Sequence, residues 1–239
     1  MQFRDRQYSL DERSNFFMPR GGVSLCPRKE VEVENRKRTM WIVKVAMLSA
    51  VASLLMYLEI PIPFMPPFLK LDFSDIPALL AGFSLGPLAG VGVLFIKNAV
   101  HALASWSFLV GELANFIIGV SFVLPAALIY KNRKNKKSAV VGMVAGGFIM
   151  TVTAGFLNAY ILIPLYATVL NFPVEAIVGM SNKVNPLIKD LKTLIFIGIT
   201  PFNIIKAFMN TLVAALIYKP LSPLLHKNFD NSRAKLSDD

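Results

Sequence analysis

The chain lacks the residue patterns on which most enzymes depend. It has one cysteine and two histidines among its 239 residues. Cys26 therefore cannot form a disulfide within the chain, and no Cys/His cluster has the spacing of a zinc site. The sequence contains no HExxH, no GxSxG and no other Ser/His/Asp arrangement. These absences disfavour a catalytic function.

Two targeting and energy-coupling signals are also absent. There is no GxxxxGK[ST] phosphate loop, so the chain cannot by itself couple ATP hydrolysis. No apolar stretch of about 7–15 residues, as a signal peptide requires, occurs before Met40. Residues 1–39 are polar and mixed in charge. We predict that they form a cytoplasmic extension, largely disordered or with a short surface helix.

Apolar residues are what the chain has in excess. Hydrophobic side chains make up 54% of it, and the mean hydropathy is +0.54. They are gathered into blocks, several of which reach the roughly 20 residues that a helix needs to cross a bilayer. The sequence therefore predicts an all-α integral membrane protein.

The formal net charge is +10, and the basic residues that produce it lie next to the same apolar blocks. The cations cluster at residues 36–38, 131–137 and 219–235, beside apolar segments. Such clusters mark the cytoplasmic flanks of membrane helices. No basic surface interleaved with aromatic residues accompanies them, so nucleic-acid binding is disfavoured.

Six membrane-spanning helices fit this pattern. We place them at about 40–58, at 76–104 divided in two, at 108–130, at 139–166 and at 194–218. Block 76–104 could form one long helix, but two short helices put the basic clusters on one side of the membrane. Gly86-Pro87 is a natural break, since proline removes a backbone donor. Both termini are then cytoplasmic, 167–193 is an external connection, and residues 40–219 form the membrane domain before a tail at 220–239.

Small residues mark two helix surfaces. Ala46, Ser49, Ala50 and Ser53 form one stripe on the first span, which lets another helix approach closely. That helix could belong to this chain or to another subunit. The GxxxG pattern at residues 142–146 predicts close helix packing and nothing more specific.

Polar side chains inside the apolar blocks predict a binding cavity. Asn203, Lys206 and Asn210 share one face of the last span, at spacings i, i+3 and i+7. Glu112 and Asn115 begin a similar face on the fourth span, which Gly119 continues; Asn158 lies in the fifth. An ionisable group at the bilayer centre costs about 2.5–3.5 kcal/mol, so function is the default explanation. Asparagine both donates and accepts, so the set suits a neutral, flat ligand rich in heteroatoms.

The loop before the second span is predicted to cover this cavity. Its lid, residues 64–71, includes Phe68, Leu69, Lys70 and Leu71. Its aromatic and proline residues could instead anchor the chain at the membrane interface. Asp72 and Asp75 would fix the lid to the next helix, either as caps or by pairing with Lys70 or Lys97.

Three polar residues could have structural roles instead of binding ligand. Lys97 could extend to the membrane surface, or pair with Glu112 or Asp75. Glu112 could belong to an ion pair or to the cavity. His101 is expected near the external interface.

Five segments carry a family likeness. They read FLKLDFSDIPALLAGFSLGPLAG, IKNAVHAL, GELANFIIG, NAYILIPLY and PFNIIKAFMN. Together they resemble the riboflavin-specific, RibU-type S components of energy-coupling factor (ECF) transporters, over residues 40–218. Residues 1–39 lie outside the likeness.

The resemblance implies a non-catalytic, multi-pass subunit of a prokaryotic cell membrane that captures riboflavin from outside. It implies a transmembrane coupling subunit and two ATPases as partners, with riboflavin as the transported ligand and no cofactor or metal. Asn203, Lys206 and Asn158 would contact the flavin, and Ala46 and Ala50 the coupling subunit. The ribityl chain would meet Asn158, Glu112, Asn115 or the lid.

Other functions stay open at this level. An S component for a different vitamin or precursor would share most of these features. A stand-alone channel or carrier would transport its ligand without any ATPase. The colour of the purified protein separates flavin from other ligands, and flux in liposomes tests the stand-alone carrier.

Overall fold

The computed structural model describes residues 27–103, 109–169 and 173–226. Two compact units divide the chain, Met1–Thr39 and Met40–Asp239. The helices are α1 (Pro27–Met56), α2 (Asp75–Leu85), α3 (Pro87–Ala102), α4 (Val110–Asn132), α5 (Lys136–Leu157), α6 (Ile163–Val169), α7 (Val174–Val184), α8 (Leu191–Thr193) and α9 (Thr200–His226). Strands β1 (Ile60–Pro61) and β2 (Lys70–Leu71) form a small hairpin. Two π-helical turns, Asn158–Leu162 and Leu194–Ile199, lead into α6 and α9.

Within the described residues, four helical stretches are long and apolar enough to cross a membrane. They are Glu34–Met56, Val110–Asn132, Lys136–Thr168 and Leu191–Tyr218. These correspond to four of the six predicted spans. The other two are the shorter apolar helices α2 and α3. With 11 residues, α2 is only about 16 Å long at 1.5 Å per residue, well short of a bilayer core of about 30 Å.

The break between α2 and α3 lies where the sequence predicts it. Helix α2 ends at Leu85, and α3 begins at Pro87. Gly86 between them has φ 106°, a conformation open to glycine but costly for other residues. Proline is tolerated at the first position of α3, because the backbone N–H that it lacks would have no partner within the helix there. One long helix over 76–104 is therefore excluded.

Glycines let α5 lie directly against α4. A Cβ atom added to Gly142 would come within 2.7 Å of the Ala126 carbonyl oxygen. One added to Gly146 would come still closer to the carbonyl oxygen of Phe122. The predicted close packing at the GxxxG pattern is confirmed, and its partner helix is α4.

Two regions outside the predicted spans contain helix. Helix α1 begins at Pro27, within the predicted extension; residues 1–26 of that extension lie outside the described residues. The connection at 167–193 contains α7, whose Ile177 is buried among apolar neighbours including Val174 and Val178. The i, i+3, i+4 spacing of these three residues is the helical signal that was missed.

Candidate ligand-binding site

The loop after α1 forms a closed hairpin. Strands β1 and β2 pair antiparallel, with Ile60 opposite Leu71 and Pro61 opposite Lys70. An ion pair between Lys70 and Glu59 flanks this base. Of the predicted lid residues, Leu71 is buried, Leu69 is half-buried, and Phe68 and Lys70 are exposed.

The lid packs on the π-helical turn that precedes α9. A Cβ atom added to Gly198 of that turn would lie 3.1 Å from Cγ of Pro66. Leu69 packs against an apolar cluster of Ala154, Ile163, Ile177, Ile188, Leu194 and Ile199. Asn185 also donates a hydrogen bond to the Phe64 carbonyl oxygen at 3.4 Å. The lid is thus held against the helices that carry Asn158 and Asn203.

Four buried charged residues meet where the lid joins α2. We call Asp72, Asp75, Lys97 and Lys206 the charge network; their relative exposures are 5%, 0%, 0% and 5%. The Lys206 ammonium lies 2.8 Å from Asp72 Oδ2 and 3.7 Å from Asp75 Oδ2. The Lys97 ammonium lies 2.5 Å from Asp75 Oδ1 and donates to Ser74 Oγ at 2.6 Å. Asp75 therefore bridges the two lysines, with one oxygen toward each.

Two positive and two negative charges balance within the network. Buried ion pairs recover their desolvation cost only when geometry and hydrogen bonding are good. Asp72 meets this condition, because Oδ1 also accepts from the Ser74 amide at 3.0 Å. Burial alone would raise the pKa of Asp72. Lys206, Lys97 and the hydrogen bonds from Lys206 and Ser74 instead hold that pKa well below its usual range.

The pairing of Asp75 with Lys97 confirms one of the predicted alternatives. Lys97 reaches neither the membrane surface nor Glu112 in this arrangement, since it is fully buried beside Asp75. Lys70 pairs with Glu59 rather than with an aspartate. No side chain caps the start of α2. The aspartates thus act through ion pairs, and the pairing of Asp72 with Lys206 was missed.

Asn210, Asn203 and Asn158 of the predicted site occupy two different settings. Asn210 lies beside the network, with Nδ2 3.5 Å from Asp75 Oδ2. Its Oδ1 is buried and has no hydrogen-bond partner among the described residues. Asn203 and Asn158 each donate to the carbonyl oxygen four residues earlier, Ile199 and Ala154, at 2.8 Å. Asn158 is the first residue of one π-helical turn, and Ile199, the acceptor of the Asn203 hydrogen bond, is the last residue of the other; such turns are frequent at functional sites.

The predicted polar face of α4 divides into two parts. Glu112 Oε1 lies 3.1 Å from His101 Nδ1, and the Tyr57 ring packs on His101 with centroids 5.1 Å apart. Half-buried Asn115 has Nδ2 4.0 Å from the Met56 sulfur. At Gly119 the face reaches the charge network, since a Cβ there would lie 3.4 Å from Asp75 Oδ1.

The small-residue stripe on α1 also divides. Ser49 and Ser53 are buried, and the Ser53 hydroxyl donates to the Ser49 carbonyl oxygen at 2.8 Å. Ala46 and Ala50 are exposed. The structure therefore brings Lys206 and Asn210 together with Asp72, Asp75 and Lys97. It places Glu112 with His101, and the serines face the interior of the chain.

Comparisons with a family model and with known proteins indicate the same family. The family model described as ECF transporter, substrate-specific component matches residues 41–218. A riboflavin transporter, RibU, of Staphylococcus aureus is 38% identical over 84% of this chain and 98% of that protein. The riboflavin transporter FmnP of Bacillus subtilis is 38% identical over 78% of this chain and 94% of that protein.

A solved structure of the S component of a bacterial ECF transporter has a similar fold. The TM-score is 0.64 at 39% sequence identity, covering 79% of this chain and 99% of that one. The predicted resemblance is confirmed by both the sequence and the structure comparisons. The role of such a component is to bind substrate, not to catalyse a reaction. The chain belongs to the family of substrate-specific components of ECF transporters.

Proposed function

We propose that this protein captures riboflavin and delivers it across a prokaryotic cell membrane, as the S component of an ECF transporter. The observation that carries the proposal is the 38% identity to a riboflavin transporter across 98% of that transporter's length. That similarity extends over 200 aligned residues, or 84% of this chain. A transmembrane coupling subunit and two ATPases would supply the energy that this chain cannot obtain from ATP.

Lys206 and Asn203 are the proposed contacts of the flavin ring. An ammonium has three donors, of which Asp72 and Asp75 can take two, so one remains for a ring acceptor. Asn203 lies three residues earlier on the same helix face and offers both donor and acceptor atoms. A buried ring acceptor left unpaired costs about 1–3 kcal/mol, so these contacts would set specificity.

The remaining predicted residues surround the ring in this proposal. Phe68, Leu69 and Leu71 of the lid would cover it, with Lys70 held outside by Glu59. The ribityl hydroxyls would meet Asn158, Asn115 or Asn210, whose buried Oδ1 offers an acceptor. Glu112 would act there together with His101, because the two already pair.

The coupling subunit would dock on the exposed small residues of α1. Ala46 and Ala50 allow another helix to approach closely. Ser49 and Ser53 face the interior, so we limit the proposed contact to the two alanines.

Six membrane helices with both termini in the cytoplasm complete the proposal. We expect single cysteines, introduced in a Cys26→Ser background, to report this topology. A membrane-impermeant maleimide should label Lys189→Cys in intact cells, and Lys134→Cys only after permeabilisation; both positions are exposed. Labelling of Lys134→Cys in intact cells would show that the basic α4–α5 connection is external.

Retained ligand is the direct test of the proposed substrate. Protein purified in mild detergent should carry riboflavin, detectable by its colour and by mass spectrometry of small molecules released on denaturation. A matched control is the Lys206→Met variant prepared in parallel. Another vitamin recovered instead of riboflavin would move the protein to a different substrate class within the same family.

A further inference from the structure

Lys97 is a buried charge that no proposed ligand contact uses. Its side chain on α3 is fully buried, with Nζ 2.5 Å from Asp75 Oδ1 and 2.6 Å from Ser74 Oγ. Lysine is almost never fully buried unless it is paired, and burial at membrane depth adds to the cost. A simple packing role would be filled at lower cost by an apolar residue of similar length. The position of Lys97 therefore needs an electrostatic explanation.

Asp75 connects Lys97 to the proposed ligand contact. Its Oδ1 faces Lys97, while its Oδ2 lies 3.7 Å from the Lys206 ammonium. Lys206 is closer to the other carboxylate, at 2.8 Å from Asp72 Oδ2. The ammonium of Lys206 thus lies between two carboxylates, and its position depends on how strongly each one attracts it.

Lys97 weakens the attraction that Asp75 exerts on Lys206. Coulombic attraction is strong between groups this deeply buried, so an uncompensated Asp75 would draw the Lys206 ammonium toward itself. Two further neighbours of Asp75 cannot replace the missing positive charge. Asn210 is neutral, and Gly119 offers only space, with a Cβ position 3.4 Å from Asp75 Oδ1.

We infer that Lys97 is a positioning residue for ligand binding: through Asp75, it keeps the Lys206 ammonium beside Asp72 and the lid. There at least one N–H of Lys206 stays available to the ligand, because the ammonium is not drawn fully toward Asp75. The inference rests on the proposed function, because it requires Lys206 to contact the flavin. It adds a residue of α3 to a site otherwise built from the lid and from α4, α5 and α9.

Two variants test the inference by removing the charge of Lys97 with and without its partner. Lys97→Met leaves Asp75 uncompensated, and Lys97→Met/Asp75→Asn restores a balanced pair of Asp72 and Lys206. We expect riboflavin binding by the purified single variant to be about 10-fold weaker, the loss of roughly one good hydrogen bond. The double variant should bind within about threefold of the wild type, since most of that loss is recovered.

The absorption band of the bound flavin adds a measurement that a purely structural role would not affect. A hydrogen bond from an ammonium to a ring acceptor shifts this band. We expect the band in Lys97→Met to lie where it lies in Lys206→Met, and the band in the double variant to return to the wild-type position. Affinities are compared only for monodisperse protein, so that a loss of folded protein is not counted as weaker binding.

The possible outcomes separate this inference from the proposed function. Wild-type protein that binds no riboflavin would contradict the proposed function itself. If the wild type binds and Lys97→Met matches it in affinity and band position, the positioning role is wrong. A double variant as weak as the single one would show that Lys97 does not act through Asp75. If the single variant does not fold, riboflavin binding by the double variant decides whether the inference holds. If the double variant does not fold either, the inference is contradicted, since charge balance would then not be what Lys97 provides.

Discussion

Lys206→Met is expected to weaken riboflavin binding by roughly 10- to 100-fold, because a hydrogen bond from a charged donor contributes about 1.5–3 kcal/mol. The variant removes the proposed ring contact while keeping an apolar side chain of similar length. Titration of riboflavin fluorescence with purified protein in detergent measures the change. Lys131→Met provides the matched control, since it makes the same replacement at an exposed position in the last turn of α4.

Lys206→Met also disturbs the fold, and this effect has to be separated from binding. Without Lys206, Asp72 and Asp75 share only Lys97, so one buried negative charge is unbalanced. Removing one partner of a buried ion pair typically costs about 3–5 kcal/mol. The double variant Asp72→Asn/Lys206→Met leaves only the balanced pair of Asp75 and Lys97.

The double variant should therefore recover most of the thermal stability but none of the affinity. Recovery of both properties would mean that Lys206 serves the charge balance and does not contact the ligand. Unchanged affinity in the single variant would place the flavin ring elsewhere in the bundle. The comparison thus tests the proposed ring contact independently of protein stability.

Local patterns in the sequence predicted much of this architecture. Gly86-Pro87 predicts the end of α2, and the glycines at 142 and 146 predict close packing of α5. Both signals can be read from the sequence because each pattern lies within a few residues of the chain. Helix α7 has the same kind of signal in Val174, Ile177 and Val178. From the scattered charges and prolines of this region we predicted only an external connection, and the helix within it was missed.

The candidate site was less accessible from sequence, because its key pairs are distant along the chain. Asp72 and Lys206 are separated by 134 positions, and helical periodicity cannot relate residues on different helices. The sequence does show Asp72 and Asp75 near the start of α2, and Lys97 and Lys206 inside apolar helices. Since unpaired charges are costly in a membrane, buried charges of opposite sign indicate pairing. The partners themselves follow only from the fold.

Among substitutions that add one methyl group to α5, Gly146→Ala is expected to lower the stability of the protein most. The new Cβ would overlap the Phe122 carbonyl oxygen, which belongs to the backbone of α4 and cannot turn away as a flexible side chain could. The two helices would have to separate along a tightly packed surface. Overpacking of this kind costs about 1–3 kcal/mol and occasionally more. Size-exclusion chromatography after stepwise heating in detergent should show a fall of several degrees in the apparent unfolding temperature.

Gly155→Ala is the matched control on the same helix. A Cβ there would lie 3.9 Å from both Ile195 Cγ2 and Thr200 Oγ1, an ordinary van der Waals distance. Alanine is also favoured over glycine within a helix by about 1 kcal/mol, so this variant should unfold at the wild-type temperature or slightly above it. Equal unfolding temperatures for Gly146→Ala and Gly155→Ala would show that α4 and α5 can move apart without cost. The close approach of the two helices would then not be what holds the α4 polar face in place beside the charge network.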